Sequence, residues 1–380
     1  MSGCQQDVCV NIYPKVEIWC SSAYDHLPKD NKACTFQLTD TDLHVVSDDH
    51  ALIKLRGNST SEWPKRPFSI QLSKECSLCG MPEAKKWVLL ANWFDKTMLR
   101  NSLAFMMGEK SALDWTPHFQ FIELYYNGAY KGTYQLCEKI EVHPNRVEIA
   151  PEGWLIEIDA NMTEKGTYFR TTHMENPYRI AYPDKNLTQQ QTEQIHTSFI
   201  QAEEVLFGEN FSDTVNGWRK YLDEESWIDW YLINEIAKNG DGNFYRSCYM
   251  HSSSDGKIAL GPLWDYDTCF GNSIWEDPCN PVGIYVGRTE WFVRLMQDTL
   301  FAQKVRERFA FFYNQQDQYY NYIYQTAKIL QPSIKKNDGV WHTIGTQISP
   351  YLSPNSSYDE DVNTLVSWLK VRFEWLLVEL

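Results

Sequence analysis

The spacing of apolar residues in this chain changes near residue 188, and that change limits the folds open to it. Before it, VEIWC, CTFQL, LHVVS, ALIKLRG and FSIQL, all within 15–72, carry the alternation and β-branched content of strands separated by polar turns. KWVLLAN (86–92) reads as another strand, and DKTMLRNSLAFMMGEK (95–110) repeats apolar residues at helical spacing. HFQFIELYYNGAYKGTYQLCEKI then joins two alternating runs at Asn127-Gly128, a pair that favours the two positive φ values of a tight hairpin turn. VEIA, WLIEID, TYFRTT and YRIAYP extend the strand pattern to about residue 183. Beyond it, TQQQTEQIHTSFIQAEEVLF, ESWIDWYLINEIAKN, EWFVRLMQDTLFAQKVRERFAFFYNQ and VNTLVSWLKVRFEWLLVEL place apolar residues at i, i+3 and i+4, interrupted by a second hairpin at 244–262. The expected class is α+β, with a β-rich N-terminal lobe, a mainly helical C-terminal lobe and a ligand cleft between them. The expected divisions are an N-terminal extension with short strands (1–50), a β-rich lobe (51–150) and a mainly helical lobe (151–380).

Composition narrows the function. With 43% hydrophobic residues in 380, the chain can bury one large core or two moderate ones. Its formal net charge of −15 argues against a nucleic-acid partner, which needs a basic face to neutralise phosphates. If an anionic nucleotide binds, a local Lys and Arg cluster or a divalent metal has to overcome that field. No run of about 18 apolar residues occurs, so no transmembrane helix is expected. MSGC at the start resembles the end of a bacterial lipoprotein signal, with Cys4 as a lipid anchor on an exported, surface-associated protein. It reads equally as an ordinary polar terminus, which leaves a cytoplasmic location open. Cys76 and Cys79 form a lone CSLC, for which a disulfide or free thiols are the expectation ahead of zinc.

The chemistry concentrates in NGDGNFYRSCYMHSSSDGKIALGPLWDYDTCFGN, residues 239–272. Gly240 suits a helix C-terminus, and Asp241 sits in the turn that enters the first run. If the two runs pair about SSSDG, Asp241 and Asp265 reach the open end of the ladder together, with Asn243 and Asp267 close by. Two carboxylates there can orient or deprotonate an attacking hydroxyl and hold the divalent ion, Mg²⁺ or Mn²⁺, that bridges phosphate oxygens. Capping of turns and helices would call for the same acids. In KLRGNSTSEWPKRPFSIQL (54–72), Arg56, Gly57, Asn58, Ser59 and Thr60 form a loop whose N–H groups suit phosphate, followed by Lys65 and Arg66. A polar hairpin with a basic rim has the same composition. Asp95 and Arg100 read as a capping acid with a surface ion pair, and Glu138 as a strand-end acid that is either exposed or turned to the cleft.

RGNSTSEWPKRPFSIQL, WVLLANWFDKTMLRNSLAF, NGAYKGTYQLCEKIEVHPNRV, WYLINEIAKNGDGNFYRSCYM and GPLWDYDTCFGN resemble, in order, the blocks of the CotH family of spore-coat-type atypical protein kinases. The resemblance implies a divergent two-lobed protein-kinase-like fold that binds ATP and Mg²⁺ or Mn²⁺ and phosphorylates Ser or Thr of protein partners. Under it, Asp241 is the catalytic aspartate and Asp265 the metal ligand, a part that Asp267 could take in its place, with Asn243 beside them. Lys65 or Arg66 contacts phosphate, Arg56 through Ser59 covers the phosphates, and Glu138 belongs to the nucleotide site. The alternative it implies is a catalytically silent surface adhesin or assembly scaffold on the same fold; an aromatic-rich carbohydrate-binding surface is a third reading.

Overall fold

The computed structural model describes residues 13–58, 60–162 and 166–380, so the expected lipid anchor Cys4 and the loop residue Ser59 lie outside the described residues. The chain divides into two compact units. One holds residues up to Trp93 with His118–Lys139 and Gln331–Thr343, and the other Phe94–Pro117, Ile140–Leu330 and Ile344–Leu380.

In the first unit, β1 (Lys15–Cys20), β2 (Lys32–Thr39), β3 (Val45–Leu55), β4 (Phe68–Cys76), β5 (Ala84–Leu90), β6 (Phe119–Tyr126) and β7 (Ala129–Glu138) close a barrel in the order β1-β2-β3-β4-β5-β7-β6. Closure comes from the parallel pairing of β1 with β6, Lys15 opposite Glu123, which leaves the sheet no open edge. Alternate residues fill the interior: Val16, Ile18, Phe36, Leu38, Ile53, Phe68, Ile70, Trp87, Leu89, Ile122, Leu124, Tyr134 and Leu136. Each fully buried side chain of this size contributes about 1.5–3 kcal/mol, so truncating Phe36 at its centre would cost about 3–5 kcal/mol. Asn127 and Gly128 take φ values of 48° and 79° in the expected hairpin turn. LHVVS and ALIKL, read as two strands, are the single long β3. Residues 15–50 supply β1, β2 and the start of β3. Cys20 and Cys34 stand directly opposite in the β1–β2 register and form a disulfide, whereas Cys76 and Cys79 are free thiols.

The second unit is built on a five-stranded sheet, β12-β11-β8-β10-β9, of β8 (Leu155–Ile158), β9 (Tyr168–Thr171), β10 (Met174–Tyr182), β11 (Cys248–Ser252) and β12 (Ile258–Leu260). Its helices are α1 (Arg100–Glu109), α2 (Gln189–Leu206), α3 (Glu224–Ala237), α4 (Glu276–Cys279), α5 (Glu290–Leu295), α6 (Thr299–Asn314) and α8 (Tyr358–Glu379); α7 (Gln316–Trp341) contributes to both units. The α+β expectation holds. Several details differ. VEIA makes only an isolated bridge, Val142 with Val147. The run 290–315 is two helices, because Asp298 caps α6 by accepting the Leu300 and Phe301 N–H groups. Helix α7 was not read from the sequence: its polar-tipped tyrosines, Pro332 and the Asn337-Asp338-Gly339 tract look like a break, yet Tyr319, Ile323, Ala327 and Leu330 are buried at helical spacing. None of the helices among the described residues is long and apolar enough to cross a membrane.

Candidate functional site in the second unit

Helix α3 ends earlier than Gly240. Its C-cap is Lys238, left-handed at φ 47°, and the reason a lysine tolerates that conformation lies in its side chain. The buried Lys238 ammonium donates to Asp277 Oδ1 at 2.7 Å and to the carbonyls of Asp277, Asn280 and Val282. Asn239 bonds back to Asn234 and accepts the Gly242 N–H at 2.8 Å. Gly240 is needed for space: a Cβ there would stand 2.9 Å from the Trp275 ring. Phe244, buried and at φ 51°, inserts against Trp230 and Phe292. These anchors fix the 238–247 loop, and with it Asp241.

The second run returns as expected. β11 and β12 pair antiparallel, Met250 opposite Leu260, and the Gly261 N–H bonds to the Tyr249 carbonyl. Asp241 and Asp265 follow beyond the open end of that ladder. Burial, and then the Asp265 charge, push the Asp241 carboxyl up to about 7 against the opposing pull of Arg246. Arg246 Nε lies 3.1 Å from Asp241 Oδ1, but poorly aligned, so both atoms are buried without a hydrogen bond. Asp267 is raised well above the carboxylate range by burial and by the charges of Asp265, Asp95 and Asp241. Ser247 donates to Asp265 Oδ2 at 3.0 Å. Among the described residues, no lysine or arginine forms an ion pair with Asp265 or Asp267. Asn243 Oδ1 is buried without a partner, and no hydrogen bond joins Asn243 to Asp267.

Asp95 and Arg100 are not the exposed helix-edge pair expected. α1 begins at Arg100, and the pair is buried, Nη1 to Oδ1 at 2.6 Å. Both Asp95 oxygens accept hydrogen bonds, Oδ1 from Thr97 and Arg100 and Oδ2 from the Arg100 N–H, and Arg100 Nε donates to the Cys269 carbonyl at 3.0 Å. Asn101 Oδ1 accepts the Tyr266 N–H at 2.8 Å. Sequence reasoning placed Asp95 and Arg100 on a helix edge and missed both Arg246, which shares a loop with Asp241, and Ser247, which only the hairpin brings to Asp265.

The donor set here is oxygen only, carrying more negative charge than its one arginine offsets. That suits a hard divalent cation, for which Mg²⁺ needs one or two carboxylates and keeps waters besides. Among the described residues, the group of three ligating side chains with atoms all within 4.8 Å is instead Asp40, Asp42 and His44, on an exposed turn that bonds mainly to itself.

The remaining sequence candidates lie in the first unit. Lys65 is buried; its ammonium donates to the Thr133 carbonyl, sits 4.7 Å from the Tyr134 ring centre and is held well below the usual lysine range by burial. Arg66 is half-buried, with Nη1 on the Ser61 carbonyl and Nε unpaired. Arg56 and Asn58 lie in the β3–β4 loop, where Gly57 (φ 83°) avoids Thr60 Oγ1, 2.0 Å from where its Cβ would be. Glu138 is fully buried rather than exposed: Oε2 accepts the His118 N–H and meets His118 Nδ1 at 2.8 Å, and Oε1 has no partner. Thr133 and Glu138 are five residues apart on β7, about 16 Å at strand rise, so the structure does not bring Lys65 and Glu138 together.

A barrel unit, a mixed sheet-and-helix unit and a paired-carboxylate centre define an α+β protein with a candidate divalent-metal site. The family model described as CotH kinase protein matches residues 53–376, and the chain belongs to that family. A search among curated proteins returned no match.

Proposed function

We propose that this protein transfers the terminal phosphoryl group of ATP to serine or threonine hydroxyls of protein substrates, with Mg²⁺ or Mn²⁺. One observation carries the reading. In a member of the CotH kinase family, two carboxylates distant in sequence stand close enough for one charge to raise the other, at a centre short of cations. Asp241, poised near neutrality, suits the acceptance of a proton from the attacking hydroxyl. Asp265, with Asp267 and Asn243, would hold the metal, which when bound neutralises charge developing on phosphate oxygens. Phosphate contact by Lys65 or Arg66 and by the Arg56, Asn58 and Ser59 loop, and a nucleotide role for Glu138, belong to the same proposal. So do a nucleotide-binding role for 51–150, a catalytic one for 151–380 and surface attachment through Cys4.

The test is phosphoryl transfer from labelled ATP, with Mg²⁺ or Mn²⁺, to the protein itself or to a Ser-rich acceptor. Asp241→Ala and Asp265→Ala should each lower the rate roughly a hundredfold, the loss of about 3 kcal/mol of transition-state stabilisation. Wild-type activity in both variants would refute the assignment. A wild-type chain whose thermal stability ignores nucleotide plus metal would favour the scaffold alternative.

A further inference from the structure

We infer that Asn101 is a positioning residue of the acidic centre: by accepting the Tyr266 amide it holds Asp265 in a left-handed conformation that keeps its carboxylate beside Asp241. The inference rests on the divalent-metal reading above and adds what makes that centre rigid. Asp265 has φ 70°, a conformation that L-residues other than glycine adopt at a cost of about 1–2 kcal/mol. Such a residue persists only where its surroundings over-determine it. Two bonds do so here. Asn101 Oδ1, in the first turn of α1 and 4% exposed, takes the N–H of the peptide that follows Asp265. Ser247 Oγ, itself on a left-handed residue at φ 55°, donates to carboxylate Oδ2. One bond fixes the backbone and the other the side chain.

The same stretch of chain grips the loop further on. Arg100 holds the Cys269 carbonyl, and Asn272 Nδ2 joins the Asp267 carbonyl to that of Phe94. Asp95 has both oxygens engaged by Thr97 and Arg100, so it braces this stretch. Tyr266 is 1% exposed, so without Asn101 its amide would be left buried with no acceptor. The backbone would relax toward an ordinary φ, turning the Asp265 carboxylate away.

Two measurements on the full chain, neither of them activity, test this. Binding of Mn²⁺ alone, followed by electron paramagnetic resonance, should weaken about 10–100-fold in Asn101→Ala, as expected when a group that orients a metal ligand is removed. Hydrogen exchange at the Tyr266 amide should quicken in the metal-free variant. Asn101→Asp retains the acceptor oxygen and should keep that amide slow. Thr171→Val, which removes a hydrogen bond to Glu203 elsewhere in the unit, should leave Mn²⁺ affinity unchanged. Should Asn101→Ala fail to fold, Asn101→Ser, whose hydroxyl stops short of the amide, is read in the same way. A folded Asn101→Ala or Asn101→Ser variant that binds Mn²⁺ within twofold of wild type, or keeps the Tyr266 amide slow after losing its acceptor, overturns the inference while the function above stands. A wild-type chain that binds no Mn²⁺ overturns the metal reading and this inference with it.

Discussion

Replacing Asp241 with asparagine should make the metal-free protein more stable, and by an amount that depends on pH. Burial and the neighbouring Asp265 move this carboxyl from an ordinary 3.8 to about 7. Because the folded-state value lies above the unfolded one, the folded chain binds the extra proton between these two values. The group's contribution to stability is fully present below about 3.8 and lost as pH rises through about 7. At about 1.4 kcal/mol per pH unit, the raised value of Asp241 destabilises the fold by ~4 kcal/mol at pH 8, where the buried group is ionised, and by only ~1 kcal/mol at pH 4.5, where it is protonated. An asparagine carries no such charge. Equilibrium urea unfolding in EDTA should therefore show Asp241→Asn more stable than wild type by up to ~4 kcal/mol at pH 8, with the gap closing toward pH 4.5. Saturating Mn²⁺ should narrow the gap at pH 8, since the cation offsets the repulsion in wild type. A variant no more stable than wild type at pH 8, or a gain equal at both pH values, would refute the claim that these acids repel each other in a water-poor site.

Other expectations follow from the same geometry. Arg372 and Glu235 form a fully buried pair at 2.6 Å, and Glu235 also accepts the Tyr285 and Gly287 N–H groups, so Glu235→Ala should cost about 3–5 kcal/mol in thermal or urea unfolding. Lys65→Met should leave stability within about 1 kcal/mol or raise it, because a desolvated ammonium with one carbonyl acceptor gives way to an apolar isostere. If Lys65 contacts phosphate, the same change raises KM for ATP; an unaltered KM points to Arg66. Reducing the Cys20–Cys34 bond, which links residues 14 apart, should lower stability by about 3 kcal/mol, and Cys20→Ser should match that loss and abolish the response to reductant.

The sequence by itself determined most of the element types, α7 and the VEIA segment aside, together with the Asn127-Gly128 turn, the hairpin before Asp265 and the family blocks, because local periodicity and turn chemistry act over a few residues. It also singled out Asp241 and Asp265, since a two-stranded ladder carries its ends together wherever it lies. Only the tertiary structure decided that the barrel closes through a parallel β1–β6 contact, that Cys20 meets Cys34 and that α7 is one helix across Pro332. It alone turned Asp95 and Arg100 from an expected surface pair into a buried brace, and set Asn101, Arg246 and Ser247 around the acids. The physical reason is that a hydrogen bond's worth depends on burial and on a partner. For Asn101 and Ser247 the partners arrive from elsewhere in the fold, 165 positions along the chain for the first and 18 for the second.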